Sequence, residues 1–514
     1  MKPIRLIRGF VTVGGWTMMS RVLGLLRDAW IAGALGTGPV AQAFIVAFAL
    51  PNMFRRFFAE GAFNIAFVPM FSKKLEGGDD AETFARDAMS GLAAILIALT
   101  LLAQLFMPAL VLAMASGYSG DERFALSVEF GRIAFPYIFF ISLAALASGV
   151  LNATGRFAVA AAAPVLLNIL FLAALALAPI LGWDAGRTLI WTVPLAGIAQ
   201  FALVWTAAKR AGIRLVPRLP RITPDLKRLA IIAAPAMLTG GVVQVNLLVG
   251  RQVASYFDRA VAWLYNADRL YQLPLGVVAI AISIVLLPDL SRRLRAGDDQ
   301  GGRYALCRAA EFALFLTLPA AVALMVIPEP LISVLFERGA FGPEDTAQTA
   351  KVLAIYGAGL PAFVLQKVLQ PLYFAREDTA TPFRFALWAM VVNAALAIGL
   401  APIIGFVAAA LGTTLAAWAM AFQLWHGTKT MGDAAKPDAR LITRLPRVIA
   451  ASAIMGAALF AASWALNDAL HTAGHRYWAL VVLVLVGMGI YAAAAAIIGA
   501  FRVSDFRDGL KRQR

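Results

Sequence analysis

The chain is poor in the residues from which catalytic and metal centres are built. It has one cysteine, Cys307, so neither a disulfide framework nor a cysteine-rich metal site is available. Its three histidines, His426, His471 and His475, fall near predicted helix ends and read as solvated side chains. Charge is scarce as well: 14% of residues are Asp, Glu, Lys or Arg, and 29 acids face 45 bases. No paired-carboxylate site, nucleophile triad, phosphate-binding glycine loop or metal-spaced cluster is present. No cofactor is therefore expected, and coupling to a monovalent ion is left open. Asn246, Asn393 and Thr413 or Thr414 are the oxygens available to such an ion, with no carboxylate beside them.

Apolar length is what the chain has. It is 61% hydrophobic, with a mean hydropathy of +0.78, which is the composition of a polytopic all-α membrane protein. A bilayer is crossed by about 20 apolar residues. Fourteen runs qualify: 9–35, 39–71, 86–116, 124–151, 157–181, 188–209, 228–256, 260–291, 304–333, 346–374, 382–401, 404–427, 444–467 and 477–500. The first is read as a span, not a cleaved signal, because it continues past Arg21 and Arg27. Pro136, Pro164, Pro194, Pro235, Pro274, Pro319 and Pro361 interrupt spans, where they permit bending.

Basic residues orient the chain. With the N-terminus in the cytoplasm, 31 Lys and Arg fall in inner loops and tails and 6 at outer ends. Both termini are then cytoplasmic, and the net charge of +16 reflects inner loops, not nucleic-acid binding. The remaining eight lie within spans: Arg21, Arg27, Arg55, Arg56, Arg132, Arg251, Arg269 and Lys367.

The sequence also repeats. Phe67-Val-Pro-Met-Phe-Ser-Lys-Lys and Leu286-Leu-Pro-Asp-Leu-Ser-Arg-Arg match at Pro69 and Pro288 and at Ser72 and Ser291, an offset of 219 residues and six spans. Both stretches run on to an Asp-Asp doublet, Asp79-Asp80 and Asp298-Asp299, which reads as a loop turn. An even offset keeps orientation, so the expected architecture is two six-helix lobes in a parallel repeat, 1–217 and 218–436, plus two further helices in 437–514.

Arg21, Arg27, Arg55 and Arg269 are the informative residues. Each costs roughly 2.5–3.5 kcal/mol near the bilayer centre, and a chain keeps such a cost when the cations face a cavity and hold an anion. The planar guanidinium fork suits phosphate oxygens, and several forks suit a pyrophosphate. Arg21 and Asp28, seven apart, share a helix face; Arg27 points about 100° away, and Gly24 offers a bend between them. Internal pairing is the competing reading: Arg21 or Arg27 with Asp28, Arg56 with Glu60, and Arg269 with Asp268. Ser20, Asp28, Gln42, Asn52, Glu60 and Lys367 are the supporting polar groups of the expected cavity, while Gln366, Gln244 and Asn246 suit bridges between helices.

Four stretches carry a resemblance. Ser20-Arg21-Val-Leu-Gly24-Leu-Leu-Arg27-Asp28 precedes Leu50-Pro-Asn-Met-Phe-Arg-Arg56-Phe-Phe-Ala-Glu60-Gly, and Ala267-Asp268-Arg269-Leu270 and Lys367-Val-Leu-Gln-Pro371-Leu-Tyr373-Phe374-Ala375-Arg376 follow. Together they resemble the bacterial lipid II flippase family, MurJ or MviN. The resemblance implies the multidrug/oligosaccharidyl-lipid/polysaccharide exporter fold. It implies flipping of an undecaprenyl-pyrophosphate-linked peptidoglycan precursor across the inner membrane by a monomer that meets lipid II and membrane lipids. Arginines at positions 21, 27, 55 and 269 would line the cavity, and the last two spans would hold the lipid tail. Where the family commonly carries an acid early in the second span, this chain has Gln42. Two further readings share the fold class: a flippase for another polyprenyl-pyrophosphate glycan, and a drug–cation antiporter, which should carry acids in its cavity. A membrane glycosyltransferase would need a carboxylate cluster at a membrane surface.

Overall fold

A computed structural model describes residues 3–55, 62–216, 218–472 and 474–500, with side chains described except at 3–11, 62–65, 234–247, 277, 279–285 and 287–288. Arg56 and Glu60 lie outside the described residues, as do the side chains of Gln244 and Asn246. The described chain is helical. Its elements are α1 (Pro3–Leu35), α2 (Pro39–Arg55), α3 (Ala62–Gly77), α4 (Ala81–Leu105), α5 (Met107–Met114), α6 (Glu122–Ala134), α7 (Tyr137–Ala153), α8 (Phe157–Leu181) and α9 (Ala185–Arg210). These are followed by α10 (Pro224–Ser255), α11 (Ala260–Arg295), α12 (Asp299–Val326), α13 (Pro328–Phe336), α14 (Pro343–Phe374), α15 (Ala380–Ile404), α16 (Val407–Gly427), α17 (Ala439–Ala465), α18 (Asn467–His471) and α19 (Arg476–Ile497). The only pairing of strand type among the described residues is an isolated bridge, Arg338 with Phe341.

Ten helical stretches among the described residues are long and apolar enough to cross a membrane. Several runs that read as single spans are broken. Residues 86–116 divide at Phe106 into α4 and α5, with Pro108 in the first turn of α5. Residues 304–333 divide at Ile327, with Pro328 opening α13. Proline lacks the N–H that a helix interior needs, so it starts a new helix where it would break an old one. Pro136 marks the joint of α6 and α7, whereas Pro164, Pro194, Pro319 and Pro361 stay inside their helices.

Left-handed residues punctuate the chain in register. In the first half they are Gly36, Gly78, Gly120, Gly155, Gly182 and Gly212; in the second, Arg259, Gly297, Gly339, Glu377, Gly405 and Gly432. Gly78 and Gly297 are 219 residues apart, as are Gly120 and Gly339. Two positions that glycine fills in the first half carry side chains in the second, Arg259 at φ 60° and Glu377 at φ 62°. The acidic doublets do more than turn the chain. The Asp80 carboxylate accepts from Thr83 N–H at 2.9 Å and caps α4, and Asp298 accepts from Gly301 N–H at 2.8 Å and caps α12. The Thr83 bonds hold the Asp80 carboxyl below its ordinary value.

The chain forms two compact units, the first of Met1–Ala262 with Arg338–Phe341, the second of Trp263–Glu337 with Gly342–Arg514. In the first, Phe44 stacks on Phe48 and both meet Phe171 of α8. In the second, Leu290, Val364, Leu372 and Leu424 pack α11, α14 and α16 together. A separate cluster, with Val448, Leu459 and Leu483, seats α17 and α19 against α12 and α13. At the start of α17, Glu311 of α12 receives Arg308, Arg440 at 3.2 Å and Arg444 at 2.5 Å, and Arg308 also reaches Asp438 at 2.5 Å.

Candidate functional site

The arginines of α1 have different surroundings. Arg27 is 8% exposed. Its Nε and Nη2 donate to Asp28 Oδ1 at 2.9 and 2.7 Å, and its Nη1 donates to Asn168 Oδ1 at 2.9 Å. The guanidinium also lies 5.6 Å from the Phe171 ring centroid. Asn168 uses its other end as well, donating Nδ2 to the Ser20 carbonyl at 2.9 Å and lying 3.4 Å from Ser20 Oγ. So α8 supplies one amide that grips α1 at two levels. A buried cation needs such partners to offset its desolvation. The adjacent positions 27 and 28 point apart on the helix, yet the long Arg27 side chain folds back to reach the carboxylate.

Arg21 is half-buried, and among the described residues its guanidinium has no hydrogen-bond or ion-pair partner. It lies six residues before Arg27, about 9 Å along the helix. Arg55 is half-buried in the last turn of α2. Arg269, on α11 in the second unit, stacks 4.4 Å from the Tyr265 ring centroid and lies 3.8 Å from Asp268. Asp268 also accepts from Gln272, one turn on.

The supporting groups divide. Ser20 and Asp28 are drawn into the Arg27 centre. Asn52 donates Nδ2 to the Phe48 carbonyl of its own helix at 2.7 Å, one turn back and beside Pro51. Lys367 is exposed on α14. Gln366 donates to the Ala417 carbonyl at 2.8 Å and bridges α14 to α16. The ion ligands considered at positions 413 and 414 are otherwise occupied: Thr413 bonds the Ala409 carbonyl at 2.9 Å and Thr414 the Ile355 carbonyl at 3.0 Å. The Thr413 hydroxyl bonds back to its own helix, and the Thr414 hydroxyl ties α16 to α14. Among the described residues no three His, Cys, Asp or Glu side chains are grouped to hold a metal.

Two groups went unnoticed in the sequence. Asn168 is one; its signal was an amide in an otherwise apolar 25-residue helix. The other is the segment between α5 and α6. Gln42 is fully buried, and its Oε1 accepts from Tyr118 Oη at 3.3 Å and Arg123 Nη1 at 3.4 Å. Arg123 stacks 4.4 Å from the Tyr118 ring centroid and pairs with Asp121 at 2.5 Å. Burial pushes the Tyr118 phenol up, so it remains a donor. The same segment docks on α10: Ser116 N donates to Gln252 Oε1 at 2.6 Å, and Gly117 N to Ser255 Oγ at 3.0 Å. A similar contact is made 223 residues after Gly117, where Ala340 N donates to the Gly33 carbonyl of α1 at 2.9 Å. Arg132 lies in the last turn of α6, within the candidate span 122–153, and its carbonyl accepts from Gln104 at the end of α4, at 2.8 Å.

The comparisons with known proteins agree in one direction. A family model described as lipid II flippase MurJ matches residues 31–485. A probable lipid II flippase MurJ from Rhizobium meliloti (strain 1021) is 46% identical, over 99% of this chain and 96% of that one. A solved structure of lipid II flippase MurJ in an inward closed conformation superposes with a TM-score of 0.79 at 26% identity, covering 95% of this chain and 98% of that one. An inward-facing multidrug transporter of the MATE family, in the MOP superfamily, shares the fold at a TM-score of 0.68 and 15% identity, over 82% of this chain and 98% of that one.

Proposed function

The chain belongs to the lipid II flippase MurJ family, and we propose that it carries lipid II, an undecaprenyl-pyrophosphate-linked glycopeptide, from the cytoplasmic to the periplasmic leaflet of the bacterial inner membrane for cell-wall synthesis. It is a multi-pass membrane transporter, and its work is translocation. The head group crosses while the lipid tail stays in the bilayer.

The phosphate chemistry rests on one observation above the others: Arg21, a permanent cation in the middle of α1, is without an internal partner among the described residues. A guanidinium so placed is costly unless a ligand supplies the counter-charge. Arg55 and Arg269, guanidinium groups that likewise lie within apolar runs, are the next ligands, and Arg27 joins them when the Asp28–Asn168 grip is shared with the substrate. The pyrophosphate would receive bidentate forks that lysine lacks.

The reading includes fourteen spans with both termini cytoplasmic, as the basic residues of the inner loops favour. Residues 1–217 and 218–436 are two lobes of six helices, and 437–514 adds a pair whose groove takes the tail. The matched left-handed residues and the paired breaks at Phe106 and Ile327 support the lobes. The lobes rock about the bound head group, as in other transporters built from repeats. The protein works as a monomer on lipid II.

The test is depletion in the native cell followed by measurement of which lipid-linked precursor accumulates, with the purified protein in vesicles offered lipid II and a second polyprenyl-pyrophosphate glycan. Accumulation of lipid II, and its faster flipping in vesicles, is expected. Equal flipping of the second glycan would move the assignment to a broader flippase.

A further inference from the structure

The start of α11 is closed on every side but one. From Ala260 to Tyr271 each residue is buried except Tyr265, Asp268 and Arg269. Gln272, the next residue, is half-buried as they are. The four stand at i, i+3, i+4 and i+7, which is a single face of a helix. The opposite side is anchored. Trp263 donates Nε1 to Asp345 at 2.9 Å and packs on Phe406, and Tyr271 packs on Tyr356 and Phe363 of α14. The open face is therefore held in place, and it is polar in a run that is mostly apolar.

Two chemistries meet on it. Arg269, stacked 4.4 Å from the Tyr265 ring centroid, is a fork for phosphate oxygens. Asp268 lies 3.8 Å from that guanidinium. Gln272 donates Nε2 to Asp268 Oδ2, which leaves Gln272 Oε1 as an acceptor with no donor among the described residues. A carboxylate and an amide oxygen accept hydrogen bonds and repel phosphate oxygens. A bare pyrophosphate offers acceptors, so it suits Arg269 and not its neighbours. The ligand that suits all three carries an anion and, a few bonds away, O–H or N–H donors. In a polyprenyl-pyrophosphate glycan the first sugar is that group, because its anomeric carbon is joined to the terminal phosphate through one oxygen.

We propose, resting on the lipid II reading above, that Asp268 and Gln272 bind the first sugar of the substrate while Arg269 binds the phosphate to which that sugar is joined. The Asp268 carboxylate and Gln272 Oε1 accept from hydroxyl or acetamido N–H groups of the ring. This face of α11 thus recognises a phosphosugar and not a pyrophosphate alone. Selection follows from it: a pyrophosphate lipid without its sugar leaves both acceptors unpaired.

The full chain, purified in nanodiscs, is offered undecaprenyl pyrophosphate, undecaprenyl-pyrophosphoryl-N-acetylglucosamine and lipid II, and the affinity for each is measured. The wild type should bind the two sugar-bearing lipids about tenfold more tightly than undecaprenyl pyrophosphate, the worth of one hydrogen bond to a charged group. Asp268→Asn and Gln272→Ala should each remove most of that difference and leave undecaprenyl pyrophosphate bound as before. Arg269→Ala should weaken all three ligands alike. If Asp268→Asn and Gln272→Ala also weaken all three alike, both residues only hold Arg269 and the sugar contact is overturned. Equal wild-type affinity for the three lipids overturns it too. A preference confined to lipid II would place the contact beyond the first sugar, with the same consequence. Wild-type protein that binds none of the three would refute lipid II as the substrate and the sugar contact with it, a result distinct from equal binding.

Discussion

Ser116 Oγ lies 2.8 Å from Tyr256 Oη, 140 residues away in sequence, where the turn after α5 meets the end of α10. Between them the backbones close completely. A Cβ on Gly117 would stand 2.5 Å from the Ser255 carbonyl carbon and from Tyr256 N, closer than real Cβ atoms come. Gly117→Ala should therefore push the segment off α10, at about 1–3 kcal/mol for overpacking. Ser116→Ala removes one hydrogen bond and should cost about 0.5–1.5 kcal/mol. Labelling of a Ser255→Cys thiol, at a buried position, by a membrane-impermeant reagent should rise sharply in the first variant and slightly in the second. Unchanged labelling in Gly117→Ala would show that the contact is absent in the membrane.

Arg21 and Arg27 should separate on the same two measurements. Arg21→Ala removes a side chain without internal partners and should abolish flipping with an unchanged melting midpoint. Arg27→Ala takes the guanidinium away from the buried Asp28 Oδ1 and Asn168 Oδ1, so it should lose flipping and also about 3 kcal/mol or more of stability. Arg21→Lys should rescue poorly, since an ammonium lacks the bidentate fork. Normal complementation by Arg21→Ala would remove it from the site.

Asn168→Leu should resemble Arg27→Ala, although position 168 is on another helix and carries no charge. It breaks the bond to Arg27 Nη1 and the bond to the Ser20 carbonyl together. A double-mutant cycle with Arg27→Ala should show coupling of about 1–3 kcal/mol. Additive effects would mean that the amide does not hold the guanidinium.

Arg259 and Glu377 should both be improvable. Each adopts the left-handed conformation, which costs a non-glycine residue about 1–2 kcal/mol, and the matching positions of the first half are Gly36 and Gly155. Arg259→Gly and Glu377→Gly are expected to raise the melting midpoint, less so at Arg259 because its contact with Asp258 at 3.5 Å is given up. A lower midpoint in Glu377→Gly would contradict the strain.

Glu311 should anchor α17. Removing its carboxylate in Glu311→Ala takes away the group that Arg308, Arg440 and Arg444 share, while Arg308 keeps Asp438. Limited proteolysis should then cut faster in the connection between α16 and α17, while the first unit stays intact. Equal cutting rates would show that apolar packing alone holds α17.

The sequence alone determined the class, the family and most helix ends. Long apolar runs in water-poor surroundings must be helices, since each backbone polar group needs an internal partner, and glycine and proline mark where those helices stop. Spacing also raised the expectation of a repeat, because Pro69 and Pro288 recur in like surroundings. It singled out Arg21, Arg27, Arg55 and Arg269 by the cost of placing a charge in an apolar run. Partnership was decided by the tertiary structure. Arg27 finds Asn168 across 141 residues, and Gln42 finds Tyr118 and Arg123 across 76 and 81. The Arg132 carbonyl finds Gln104 across 28 residues. A hydrogen bond depends on where two helices lie within about 3 Å of each other, and a single linear pattern carries no record of which neighbour that will be.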